Sequence, residues 1–99
     1  MRLAEPLTLP CGVTLKNRIA KAAMTEGLAN GWNAATPRHV TLYRRWAMGG
    51  AGLLLTGNVL VDRRYLERAG NVAIDGPQTP GQLAALRAFA AAGTENGAH

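Results

Sequence analysis

The stretch "AGLLLTGN", residues 51–58, decides how the rest of the chain is read. Five small or apolar residues, Ala51 to Leu55, run without a break, and the chain then turns polar at Thr56, Gly57 and Asn58. An apolar run of this length fits either a fully buried strand or a piece of core helix. Gly49, Gly50 and Gly52 disfavour the helix, because each glycine costs roughly 1 kcal/mol relative to alanine in a helix interior. A strand buried on both faces is the reading that remains, and such strands belong to parallel sheets covered by helices.

The flanking segments supply those helices. "TPRHVTLYRRWAMGG" carries Thr36 as N-cap, Pro37 at the first helical position, and Gly49 with Gly50 as the stop. His39, Leu42, Tyr43 and Trp46 fall at i, i+3, i+4 and i+7 and share one face, while Arg38, Arg44 and Arg45 point outward. His39 therefore reads as a packed, hydrogen-bonded histidine. After "VLVDRRYLERAGNVAIDGPQ", a long loop with room for short strands, the same start recurs at Thr79 and Pro80. Leu83, Leu86, Phe89 and Ala90 then form one side, and Gly93 stands near the end. The two Thr-Pro starts are 43 residues apart (79 − 36), so one strand, loop and helix unit is repeated.

Upstream, "RIAKAAMTEG", residues 18–27, reads as an earlier buried strand, with its alanines leaving helix open as an alternative. "LTLPCGVTLKNRI" places Leu7, Leu9, Val13 and Leu15 around a Pro-Cys-Gly turn, the pattern of a short hairpin. The order strand, helix, strand, helix implies an α/β fold with parallel strands joined by crossover helices. Ligands of such folds sit at the carboxyl ends of the strands, where Thr25 and Asn58 stand.

Composition narrows the function classes. The 99 residues are 47% hydrophobic and 17% charged, ordinary for one globular domain. No apolar run reaches the roughly 18 residues of a membrane span, and Glu5 and Pro6 interrupt the place of a signal peptide's apolar region, so a cytoplasmic protein without membrane association is expected. The single cysteine, Cys11, closes no intramolecular disulfide and is read as a structural thiol; no metal site is expected. The net charge of +5 is scattered in pairs such as Arg44 and Arg45 or Arg63 and Arg64, with no interleaved aromatics, which argues against nucleic acid and equally suits an anionic cofactor or substrate.

At the strand ends there is no Ser-His-Asp set and no phosphate loop, since "GGAG" at 49–52 precedes its strand. Hydroxyl, amide and backbone groups beside small side chains remain. They suit a flat heterocycle with alternating donors and acceptors, or else they cap strands and begin turns.

"LKNRIAKAAMTEG", the block "TPRHVTLYRRWAMGGAGLLLTGNVLVDRR" and "ERAGNV" together resemble the start of the old yellow enzyme family, the NADH:flavin oxidoreductases and ene-reductases, including the dienoyl-CoA reductase branch. The resemblance implies the opening part of an eight-stranded (β/α)8 TIM barrel with FMN at its C-terminal face. A hairpin over 7–16 would close the bottom, with a first βα unit over 18–49 and a second over 51–93. It implies contacts to the flavin ring from Ala22, Ala23, Met24 and Thr25, with Thr25 tuning the reduction potential as a donor near the flavin O4, and a further contact from Asn58. The activity implied is hydride transfer from NAD(P)H through the flavin to an activated alkene or enone. No catalytic residue is expected within the chain; the glutamine, histidine and tyrosine positions of the family are expected downstream of His99. Alanine at 23 and glycine at 27 and 57 depart from many members and leave the substrate open. The competing reading is a truncated, non-catalytic product or small interaction module.

Overall fold

The computed structural model describes residues 2–99. The chain enters through a hairpin in which β1 (Leu7–Thr8) and β2 (Thr14–Leu15) pair antiparallel. Gly12 N–H donates to the Leu9 carbonyl across the turn, and the exposed Cys11 sits on it. β3 (Ala20–Lys21) follows, then α1 (Pro37–Met48), then β4 (Leu53–Leu54), which lies parallel to β3 with Ala20 opposite Leu53. β5 (Val59–Leu60) and β6 (Val72–Ala73) form a second parallel pair joined by residues 61–71, and α2 (Pro80–Gly93) runs on into a short 3-10 turn, Glu95–Gly97.

Both helices begin where their Thr-Pro signals place them. At α2 the Thr79 hydroxyl accepts from Gln82 N–H at 3.1 Å, and the Gln82 side chain accepts from Thr79 N–H at 2.9 Å, a reciprocal capping box. At α1 the arrangement is altered. His39 Nδ1 accepts from Thr36 N–H at 3.1 Å, while the Thr36 hydroxyl donates to the Leu28 carbonyl at 2.9 Å and fastens the helix start to the preceding loop. Thr79→Ala removes an N-cap acceptor and is expected to cost about 1 kcal/mol. In a domain of this size that lowers the thermal midpoint by roughly 4–8 °C, to be read by circular dichroism.

The core lies between the helices. His39 and Tyr43 of α1 are fully buried, with ring centroids 4.8 and 4.7 Å from Phe89 of α2; Val72 and Ala35 close the cluster. The expected α1 face is the observed one, with Leu42 and Trp46 half-buried and Arg38, Arg44 and Arg45 exposed. The expected α2 face is corrected. Phe89 and Ala92 are buried and Ala85 and Leu86 half-buried, but Leu83 and Ala90 are exposed. At 3.6 residues per turn Ala90 stands about 100° and Leu83 about 120° around the helix from Phe89, too far to share its contact with α1.

The strands depart further from expectation. Leu53 and Leu54 are half-buried and Leu55 is 48% exposed, so the apolar run is not covered on both faces. Only Ala20 and Lys21 of the 18–27 segment enter a ladder. Among the described residues the sheets are three separate two-stranded pieces, not a closed barrel. A radius of gyration of 14.5 Å, against about 13 Å for a compact domain of this length, expresses the same openness. His99 adds one further contact: its N–H donates to the Gly52 carbonyl and its carbonyl accepts from Leu54 N–H at 2.7 Å, so it lies alongside β4 in parallel register. No helix among the described residues is long and apolar enough to cross a membrane.

Candidate functional site

The carboxyl ends of β3 and β4 run side by side. Leu55 N–H donates to the Lys21 carbonyl, extending the ladder past its last paired residue. Beyond it the two segments are pressed together at Gly57, which is buried. A Cβ there would stand 2.3 Å from the Met24 carbonyl oxygen and 2.9 Å from the Thr25 Cα, so only glycine permits the approach.

Two carboxylates fix the crossing. Glu26 accepts from Gly57 N–H at 2.9 Å and from the Tyr43 hydroxyl, tying both strand ends to α1. Burial by itself would raise the Glu26 pKa, but the hydrogen bonds from Tyr43 and Gly57 outweigh it and hold the carboxyl below its ordinary value. The Tyr43 phenol is pushed up in turn, first by burial and then by its bond to Glu26. Lys21 lies over the Trp46 and Tyr43 rings and donates to the Ala22 carbonyl at 2.6 Å and to the Leu55 carbonyl; burial lowers its pKa, and the Glu26 charge opposes that shift.

Glu67, on the 61–71 crossover, is the second carboxylate. Its Oε1 accepts from the Thr25 hydroxyl at 2.6 Å and from Asn58 Nδ2 at 3.2 Å, and its Oε2 accepts from Arg68 Nε at 2.8 Å. The Thr25 hydroxyl and the Arg68 guanidinium pull the Glu67 pKa down to about 2. The loop that presents it is locally built: buried Asn71 accepts from Arg68 N–H at 2.8 Å, and Gly70, with φ of +86°, packs directly on the Gly27 backbone.

Of the expected site residues, Thr25 and Asn58 are thus brought together through one carboxylate. Ala22, Ala23 and Met24 form an exposed ledge beside them, with Met24 51% exposed. Among the described residues the backbone N–H groups of Ala23, Met24 and Thr25 make no hydrogen bond. Free donors, small side chains and two polar termini on one open edge are the features a flat heterocycle requires, so the residues present fit the ring of a flavin. The expectation for His39 holds for one nitrogen. Its Nδ1 is bonded to Thr36, whereas Nε2 is buried without a partner, and desolvation depresses its pKa. No group of three or more histidine, cysteine or acidic side chains that could hold a metal occurs among the described residues.

No family model matches the chain. It is 47% identical over 70 residues to the NADH-dependent flavin oxidoreductase iliE of Hypocrea jecorina (strain QM6a), and 38% identical over 98 residues to iliE of Neonectria sp. (strain DH2). The chain is thus similar in sequence to NADH-dependent flavin oxidoreductases. The old yellow enzyme homologue from Zymomonas mobilis superposes with a TM-score of 0.82 over 99% of the chain at 23% identity, and 2-naphthoyl-CoA reductase with 0.85 over 98% at 20%. At those identities the likeness speaks for the fold. The chain spans only 18% and 13% of the two iliE proteins, and 26% and 14% of the two solved chains.

Glu26 and Glu67 were not singled out from the sequence. The one local signal was the Gly70-Asn71 turn following Glu67 and Arg68, which marks a built loop; nothing local joins Glu67 to Thr25 or Glu26 to Gly57.

Proposed function

We propose that the chain supplies the flavin-facing strand ends of a cytoplasmic FMN-dependent oxidoreductase, as the hairpin and first two βα units of a (β/α)8 barrel, with divisions at 7–16, 18–49 and 51–93. The observation that carries this is the convergence of Thr25 and Asn58 on Glu67, beside unbonded N–H groups at 23–25. The parallel alignment of β3, β4 and His99 supports the barrel, because each strand returns through a helix to lie beside its predecessor.

FMN, when bound, supplies an acceptor for hydride from NADH or NADPH and a donor of hydride to an activated alkene. The chain's own residues do the positioning. Ala22 and Ala23 offer a surface low enough for a ring to approach the backbone. The N–H groups of Ala23, Met24 and Thr25 offer donors to ring carbonyls and nitrogens, and Gly57 keeps the two strand ends close enough for Asn58 to share the edge. Small-molecule alkenes or enones are the substrate class this implies.

Titrating FMN into the protein that carries this sequence tests the reading. Saturable quenching of flavin fluorescence, followed by loss of the bound-flavin absorbance on adding NADH, is the expected result. The absence of any FMN binding overturns it. A non-catalytic interaction module is the second reading, and the exposed apolar groove between Leu54, Val59 and Ile74 on one side and Leu86, Phe89 and Ala90 on the other favours it. That reading requires a protein that binds no flavin.

A further inference from the structure

Thr25 has one hydroxyl proton, and an ionised carboxylate can only accept. At 2.6 Å from Glu67 Oε1 that proton is committed to the carboxylate, so the Thr25 oxygen has lone pairs and no proton left for a ligand on the strand-end edge. Asn58 is held in the same way, with one N–H of its amide on the same Oε1. We infer that Glu67 is a positioning residue that turns Thr25 from a donor into an acceptor and sets a carboxylate behind it, lowering the reduction potential of a flavin bound at this edge. The inference rests on the FMN reading and revises the expected role of Thr25 as a donor toward the flavin O4.

The direction follows from electrostatics. Reduction adds negative charge to the ring system; a proton donor at its edge stabilises that charge, and a nearby carboxylate opposes it. Arg68, on the other carboxylate oxygen, offsets part of the Glu67 charge, and the group is exposed, so the effect is screened and modest. Removing the carboxylate restores a Thr25 proton free to donate and takes away the opposing charge, and both changes favour the reduced flavin.

The experiment compares Glu67→Ala, and Glu67→Gln in case the alanine variant fails to fold, with the unmodified flavin-loaded protein by equilibrium redox titration. An equilibrium about tenfold further toward reduced flavin, a shift of roughly +30 mV for a two-electron couple, is expected for Glu67→Ala. A smaller shift of the same sign is expected for Glu67→Gln, which keeps an acceptor for Thr25. An unchanged or more negative potential with flavin bound overturns the inference; a protein that takes up no flavin overturns the FMN reading instead. A flavin-free readout stands beside it. Carboxyl 13C NMR should find Glu67 titrating near pH 2, and Thr25→Val should move that titration upward. If Thr25→Val leaves it in place, the proton is not held by Glu67 and the inference fails on that ground alone.

Discussion

Gly57→Ala is expected to cost about 2–3 kcal/mol or more, the upper end of what one added methyl does in a packed site. The Cβ would meet the Met24 carbonyl oxygen at 2.3 Å, Glu26 Oε1 at 2.6 Å and the Thr25 Cα at 2.9 Å. Two of these three atoms are backbone, so a side-chain rotation cannot relieve the clash and the strand ends must separate. Thermal unfolding should fall by roughly 10–20 °C on the scale for a domain of this size. Gly81→Ala provides the contrast. It lies in the first turn of α2, where a Cβ meets nothing within 4 Å and the backbone φ suits any residue, so the same chemical change should be neutral or stabilise by up to about 1 kcal/mol. Equal melting temperatures for Gly57→Ala and the unmodified protein would mean that the close approach of the two strand ends is not present in solution.

The helices were legible because the signals that start and stop them are local. Thr36-Pro37 and Thr79-Pro80 act within one turn, and the α1 face of His39, Leu42, Tyr43 and Trp46 is the observed one, with His39 and Tyr43 buried against Phe89 of α2. The α2 face departs from expectation because helical spacing alone sets Leu83 and Ala90 beside Leu86 and Phe89, whereas the position of α1 buries Phe89 and Ala92 and leaves Leu83 and Ala90 exposed. Burial of a strand is less local still. Ala51 to Leu55 has the composition of a strand covered on both sides, yet Leu55 stays 48% exposed, because its cover must come from other segments and the ladder to β3 is two residues long.

The strand-end positions of Thr25 and Asn58 followed from topology, whereas Ala22, Ala23 and Met24 came only from the resemblance to the old yellow enzyme family. What topology could not supply was the set of partners. Thr25 meets Glu67 across 42 residues and Glu26 meets Gly57 across 31. Such pairings depend on how the 61–71 crossover folds back over the strand ends, which in turn depends on the Arg68 to Asn71 turn and the contact of Gly70 with Gly27. A hydroxyl at a strand end is visible in sequence. Which way its proton points is not.

Glu26→Ala is expected to cost about 2–3 kcal/mol, since it leaves the buried Tyr43 hydroxyl and the Gly57 N–H without an acceptor, and bonds to a charged group are worth roughly 1.5–3 kcal/mol each before allowance for partial exposure. Tyr43→Phe should cost less, because it removes the donor as well as its need. In the double variant the two losses should fall short of their sum, and that shortfall, measured by denaturant unfolding, is the energy of the Glu26 to Tyr43 contact. The pH dependence gives a second check. The folded-state pKa of Glu26 is depressed below its ordinary 4.5, so the unfolded chain takes up a proton first as acid is added. The stabilisation is therefore full above pH 4.5 and is lost as pH falls through the depressed value. His39 is also depressed, from 6.5, and loses stability in a separate, higher window as the unfolded imidazole protonates before the buried one. Because the Glu26 charge counters part of the His39 depression, Glu26→Ala should remove Glu26's share of the lower step, leaving the share carried by Glu67 and Asp75, and move the buried imidazole's protonation to still lower pH. A variant whose stability still falls with the unmodified protein's steepness below pH 4.5 would show that the acid sensitivity resides in Glu67 or Asp75, whose carboxyls are held near 2 by surface partners, and not in the clamp between the strand ends and α1.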